Sequence, residues 1–260
     1  MPRGLSDYDS AVIQGRLWTP EVLRPDAWLD VSDLSTIQYA TGISQITDKS
    51  GRGNNVTQST TGYQPTLLTT RLNGLPVAKF DGTDDALSFA SGFMNAWTEV
   101  SFVWVMFGTG GNNNANFGPT TFSTGLELLY ANVISKPTLF RINNSERVGS
   151  GLYSTSETSP TISSISADAS STGAWNGGAA VSMTSSAGIA ALNYNGVYNI
   201  GKYNGVSGFA ANMAFGEWLI FNSFLSQRDR QMTEGYLSWK WGIRLAADHP
   251  YANRPPLIGD

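Results

Sequence analysis

One histidine, no cysteine and a thin scatter of acids limit the chemistry open to this 260-residue chain. Without cysteine there is no thiolate nucleophile, no thiolate metal site and no disulfide framework. A Ser-His-Asp system could use only His249, and no nucleophile elbow accompanies it. Glycoside hydrolysis needs two carboxylates held at a set spacing. Glu127 and Glu217 both stand in apolar strand-like runs with no acid at i+2 or i+4. A glutamate on such a strand is expected to pair with a base or meet solvent. Gly108-Thr109-Gly110-Gly111 follows a strand but opens no helix, so it does not cradle phosphate. The expectation is a protein that is not an enzyme.

Two patterns leave binding open. Asp81-Gly82-Thr83-Asp84-Asp85 gathers three carboxylates in five residues. Asp81, Asp84 and Asp85 could supply part of the oxygen shell of a calcium ion, yet Asp and Gly are also ordinary turn residues. No other cofactor is expected. Sugars are held by aromatic faces beside amide and glycine groups, and three stretches put an aromatic next to a turn: Trp175-Asn176-Gly177, Tyr194-Asn195-Gly196 and Tyr203-Asn204-Gly205. Trp175, Asn176, Tyr194 and Tyr203 are therefore the ligand-contact candidates. The same stretches also read as hairpin turns whose aromatics belong to the core.

The elements that must position these groups are mostly strands. Charged residues make up only 14% of the chain, while aromatics reach 12% with 8 Trp. The 28 Gly and the many Ser, Thr and Asn favour turns and strands over helices. Sixteen cations against twenty acids give a net charge of −4, a poor match for nucleic acid. No run of 18 apolar residues exists to span a membrane. The N-terminus, with Asp7 and Asp9 early and no apolar run after them, lacks the pattern of a secretion signal.

Alternation marks strands over 77–81, 86–89, 126–130, 138–142, 161–167, 179–183, 197–201 and 217–221. Asp81-Gly82 is read as the turn of a hairpin, and 108–118 as a long polar loop. Residues 100–107 are apolar on both parities, as in a central strand covered on both faces. One helix is expected over 227–241, with Ser226 as N-cap, Asp229 at the third position and Gly242 just past the end. Met232, Tyr236 and Trp239 share its apolar face, and Gln231, Glu234, Gly235 and Ser238 make the polar sector. About ten short strands suggest a sandwich or jelly roll. Residues 1–25 read as an N-terminal arm and 26–260 as one domain that includes the helix and a Pro-rich tail. Either this segment lies across its own domain, or Val12, Ile13, Leu17 and Trp18 dock on a neighbouring subunit.

Two sets of motifs carry a resemblance. One runs from Trp18-Thr19-Pro20 through Ala27-Trp28-Leu29-Asp30, Asp33, Asp48-Lys49-Ser50-Gly51 and Asn73-Gly74-Leu75-Pro76-Val77 to Phe80-Asp81-Gly82-Thr83-Asp84-Asp85. The other joins Tyr198-Asn199-Ile200-Gly201, Glu217-Trp218-Leu219-Ile220-Phe221-Asn222, Leu225-Ser226, Glu234-Gly235-Tyr236-Leu237-Ser238-Trp239-Lys240-Trp241-Gly242, His249-Pro250-Tyr251 and Pro255-Pro256. Together they resemble the concanavalin A-like, laminin-G-like jelly-roll proteins of tailed-phage virions. The resemblance implies an all-β fold: a concanavalin A-like jelly-roll sandwich of two antiparallel sheets with one C-terminal helix. It implies a non-enzymatic virion surface protein, either a capsid decoration or a fibre or tail component with a lectin-like face for host attachment. Other virion proteins and host surface glycans would be its partners, and assembly in the host cytoplasm followed by lysis would need no signal peptide. By analogy with shell sites and fibres it implies a homo-oligomer. A free carbohydrate-binding module is the alternative, and a glycan-cleaving enzyme a distant third. Fold alone does not assign activity.

Overall fold

A computed structural model describes residues 17–108, 114–120, 126–130, 139–142, 145–148, 152, 158–202 and 210–260. In chain order the strands are β1 (Ala27–Asp30), β2 (Ile37–Tyr39), β3 (Ile43–Ile46), β4 (Val56–Thr57), β5 (Thr66–Leu72), β6 (Leu75–Lys79), β7 (Leu87–Ser88), β8 (Val100–Gly108) and β9 (Asn114–Pro119). They continue as β10 (Leu126–Tyr130), β11 (Leu139–Ile142), β12 (Ser145–Val148), β13 (Thr161–Ala167), β14 (Thr172–Asn176), β15 (Ala179–Ala180), β16 (Tyr198–Ile200) and β17 (Met213–Phe221). Helix α1 (Gln227–Trp241) follows. Among the described residues no helix is long and apolar enough to cross a membrane.

The strands form two antiparallel sheets packed face to face. The first runs β15-β14-β13-β8-β17-β6-β5, with β1 also pairing with β17; the second runs β12-β11-β10-β9-β16-β7-β4-β3-β2. This is the expected jelly-roll sandwich. Strand β8 shows why sequence parity predicts layers. Phe102, Trp104 and Met106 face the second sheet, while Val103, Val105 and Phe107 face the opposite way, into a second apolar layer. That outer layer is sealed by α1, through Met232, Tyr236, Leu237 and Trp241, and by Ile243 and Tyr251 of the tail. Each large apolar side chain buried this way stabilises the fold by about 1.5–3 kcal/mol.

The helix begins and ends where its caps predict. The Ser226 hydroxyl accepts the Asp229 N–H, and Gly242 takes the left-handed conformation at φ 68°. Its expected polar sector is a different matter. Glu234, Gly235 and Ser238 are all buried, because the tail crosses the face that would otherwise meet water. A Cβ on Gly235 would lie 2.7 Å from that of Tyr251, so glycine lets the tail lie close.

Three further expectations change. Strands β6 and β7 do not form a hairpin: they lie in different sheets, so the chain around Asp81-Gly82 crosses between layers. The polar stretch after β8 contributes β9, which pairs with β10 and β16. The domain starts earlier than residue 26. Leu17 bridges to Leu257, the Trp18 N–H donates to the Pro256 carbonyl at 3.1 Å, and the Trp18 side chain sits in the outer apolar layer. Leu17 and Trp18 thus pack on their own domain, as a segment lying across it does, and do not dock on a neighbour, because the tail offers them an apolar bed. Val12 and Ile13 lie outside the described residues.

Candidate functional site

A sandwich has four sheet faces. Two make the inner core here, and α1 with the tail covers the outer face of the first sheet. Among the described residues, the outward face of the second sheet is the one left for binding. Its register aligns a polar row across six strands. Gln38 pairs with Gln45, Gln45 with Thr57, Thr57 with Ser88, Ser88 with Asn199, and Asn199 with Gly118. The neighbouring residues Ile46, Val56, Leu87, Ile200 and Phe117 point into the core, so the row faces outward by strand alternation. It carries amides and hydroxyls and no charge. Gln38 and Thr57 are exposed, Gln45 and Ser88 half-buried, and Asn199 and Gly118 buried, so the row deepens from β2 toward β9. The Ser88 hydroxyl donates to Asn199 Oδ1 at 2.8 Å. At the deep end Asn116 is the extra residue of a bulge in β9, and its buried Nδ2 has no hydrogen-bond partner among the described residues.

Sequence reasoning did not find this row. Strands β2, β3 and β4 are two to four residues long, too short for alternation to stand out.

The aromatic candidates go elsewhere. Trp175 and Asn176 close the β14–β15 hairpin, with Gly177 and Gly178 at its tip, both at positive φ. The Trp175 ring is covered by the Arg230 guanidinium, 4.0 Å from the ring centroid. Tyr194 is buried against Tyr198, and its hydroxyl accepts the Thr120 N–H and donates to the Val197 carbonyl. Tyr203 lies outside the described residues. Trp175 and Tyr194 therefore serve separate packing contacts and form no common sugar platform.

The acids do assemble, in a way the sequence conceals. Asp30 and Glu217 are direct cross-strand partners on β1 and β17. Gly216 makes this possible. It sits where the β17–β8 register shifts, which turns Glu217 toward the helix, and a Cβ on it would meet the Trp241 ring at 2.5 Å. The Lys240 ammonium bridges both acids, 2.7 Å from Asp30 Oδ2 and 2.7 Å from Glu217 Oε2. Glu217 also accepts from the Trp28 indole at 2.6 Å, the Trp241 indole at 2.8 Å and the Tyr236 hydroxyl at 3.1 Å. Asp30 accepts from Lys49 and Ser32 as well. Every oxygen of both carboxylates is thus engaged by a donor of the chain.

Burial alone would raise the Asp30 carboxyl, but Lys240 and Lys49 overcome it and hold it at about 2. Burial and the adjacent Asp30 push Glu217 upward, against the pull of Lys240. A lone lysine between Trp239 and Trp241 on a helix packed against apolar strands was the available signal for a buried acid partner.

Glu234 anchors a second network. Arg230 Nη1 lies 2.7 Å from both of its oxygens, the Ser164 hydroxyl donates to it, and His249 Nε2 is 3.1 Å away. His249 Nδ1 accepts the Tyr251 N–H, so in the neutral ring the proton sits on Nε2 and points at Glu234. The single histidine fastens the tail.

Among the described residues Asp81, Asp84 and Asp85 bring carboxylate oxygens within 4.8 Å of one another, an arrangement that could hold a cation. Asp81 Oδ1 accepts the Thr83 and Asp84 N–H groups, and Asp85 Oδ2 accepts the Asp81 N–H at 2.9 Å. Burial, reinforced by the charges of Asp81 and Asp84, pushes Asp85 up to about 6. A carboxyl raised in the folded state makes folding less favourable as pH climbs from about 4 to about 6. Asp85→Asn is therefore expected to raise the melting temperature at pH 7 in a chelating buffer and to change nothing near pH 3.5. Thermal melts at both pH values check this.

No protein-family model matches the sequence, and no curated protein matches it. Solved structures do share the fold. The binding domain of Paraclostridial Mosquitocidal Protein 1 aligns with TM-score 0.61 at 10% identity, over 86% of this chain and 56% of that one. Trypanosoma rangeli sialidase in complex with 2,3-difluorosialic acid aligns with TM-score 0.57 at 10% identity, over 84% of this chain and 33% of the sialidase. A GH54 α-L-arabinofuranosidase soaked with a cyclic sulfate inhibitor aligns with TM-score 0.55 at 15% identity, over 77% and 51%. This chain spans between a third and about half of each. What it shares with them is an all-β, two-sheet sandwich, here closed by a single C-terminal helix.

Proposed function

We propose that this chain is a non-enzymatic, lectin-like module that binds glycans on the outward face of its second sheet and is displayed on a bacteriophage virion. The observation that carries the binding half is the register-aligned row of Gln38, Gln45, Thr57, Ser88 and Asn199. Amides and hydroxyls both donate and accept, as sugar hydroxyls require, and the row ends beside Asn116, whose Nδ2 has no partner among the described residues. The non-enzymatic half is supported by the engagement of Asp30 and Glu217, whose oxygens already serve Lys240, Lys49, Ser32, Tyr236 and two indoles. Display on a capsid, fibre or tail is supported by the sequence resemblance spanning residues 18–256.

A glycan array tests the binding. The wild-type chain is expected to retain a defined set of glycans, and Gln45→Ala with Thr57→Ala to lose at least tenfold in affinity while melting as the wild type does. Each lost hydrogen bond is worth about 1 kcal/mol, and about 1.4 kcal/mol is tenfold. An array without selective binders, or a double variant that binds unchanged, overturns the glycan face. Fractionation of particles from lysed cells tests the display: a chain found only free in the lysate overturns the virion assignment and leaves a free carbohydrate-binding module.

A further inference from the structure

The chain has only 16 cationic side chains, yet three of them line one cleft beside the start of β1. This cleft of about 370 Å³ is bounded by Glu21, Arg24, Trp28, Lys49, Gly51 and Arg52. It lies toward the small end of ligand pockets, which run from about 300 to 1,000 Å³, a size suited to one sugar ring. We propose that it binds a carboxylated monosaccharide unit, with the carboxylate on Arg24 and Lys49 and the sugar ring beside the small exposed part of Trp28. This is a second site, independent of the polar row on the second sheet.

The cleft is built in advance. The buried Asp48 carboxylate accepts the N–H groups of Trp28, Ser50 and Asn54 at 2.8, 2.9 and 3.0 Å, and the Ser50 hydroxyl at 2.6 Å. It thereby ties the loop of residues 48–54 to β1. Gly51 and Gly53 both sit at φ 79°, where a Cβ would touch nothing; the backbone path, not crowding, calls for glycine there. Arg52 is steered by its Nε, which donates to the Pro25 carbonyl at 3.2 Å, and it lies 3.5 Å from Asp26. Trp28 is fixed from behind by its bond to Glu217, and Lys49 Nζ lies 4.9 Å from the centroid of its ring.

Arg24 supplies the unspent charge. Its backbone adopts φ 51°, a left-handed conformation that non-glycine residues rarely take, and its N–H closes the 3-10 turn Pro20–Leu23 by donating to the Glu21 carbonyl. Residues held in such conformations cluster at ligand sites. Its side chain is exposed and makes no ion pair among the described residues. Lys49 spends two of its three donor directions on Asp30 and Asp33, which leaves one. A carboxylate completes both cations, and the small exposed part of the otherwise buried Trp28 indole gives the apolar side of a pyranose an edge to rest against.

The test is titration of the full chain at low salt with sodium glucuronate, N-acetylneuraminate, glucose and inorganic phosphate, followed by tryptophan fluorescence and calorimetry. At least one carboxylated sugar is expected to bind saturably, at least tenfold more tightly than glucose or phosphate, and to weaken as salt rises. Arg24→Gln, at an exposed position, is expected to lose at least tenfold while melting as the wild type does. Gln45→Ala with Thr57→Ala is expected to leave this titration unchanged, so failure here and failure of the sheet face are read separately. Phosphate binding as tightly as the sugars reduces the cleft to a bare anion site and overturns the proposal. So does the absence of saturation, or an Arg24→Gln chain that binds like the wild type.

Discussion

Lys240→Met is expected to lower the melting temperature by about 10 °C. The substitution leaves a side chain of similar length but strips the shared cation from two buried carboxylates that face each other across β1 and β17. Breaking a buried ion pair by removing one partner costs about 3–5 kcal/mol, and a domain of this size loses about 2–4 °C per kcal/mol. Adding Asp30→Asn and Glu217→Gln to the same chain is expected to recover most of the loss, since the uncompensated charges are then gone. A triple variant no more stable than the single one would show that packing around the lysine stem, and not charge, carries the effect.

The pH dependence follows from Asp30. Its folded value of about 2 lies below the unfolded value of 3.8. Its contribution is therefore complete above about pH 4 and is lost as pH falls toward 2. The stability gap between wild type and Asp30→Asn should narrow across that window, which denaturant melts at stepped pH values measure.

Glu234→Ala is expected to release the C-terminal tail. Arg230 is buried and lies over Trp175 with Glu234 as its counter-ion. Without that carboxylate the guanidinium stays desolvated and unpaired, at a cost of about 3–5 kcal/mol, and His249 loses the acceptor that holds the tail against the helix. Limited trypsin digestion should show new cleavage at Arg244 well before the sheets are cut. Glu234→Gln, which keeps an acceptor of the same shape, should fall between the two. Equal trypsin resistance in all three proteins would exclude this role for the network.

What the sequence disclosed and what it hid follow one physical line. Contacts made within a few residues were readable: the caps at Ser226 and Gly242, the two-sided apolar run of β8, and the turn beside Trp175-Asn176-Gly177. Contacts needing a partner far along the chain were not. Asp30 and Glu217 are 187 positions apart, and only the β1–β17 register with the shift at Gly216 unites them. Glu234 and Ser238 looked solvent-facing because nothing nearby indicates that the tail returns over them. Asp81-Gly82 looked like a hairpin turn because turn chemistry is the same whether the chain doubles back or changes layer. The polar row was hidden for another reason. Its residues are individually ordinary and acquire meaning only once the strands are set side by side.

The position of β17 has a consequence for synthesis. It is an interior strand of the first sheet, flanked by β8 on one edge and by β6 and β1 on the other, yet it follows every other described strand in the chain and is made after them. Until it emerges, β8 and β6 present bare edges with no partner between them, and the second apolar layer has no helix to cover it. A nascent chain stalled before residue 213 therefore carries two sticky strand edges, so premature termination should feed aggregation, with no partly folded module to rescue it.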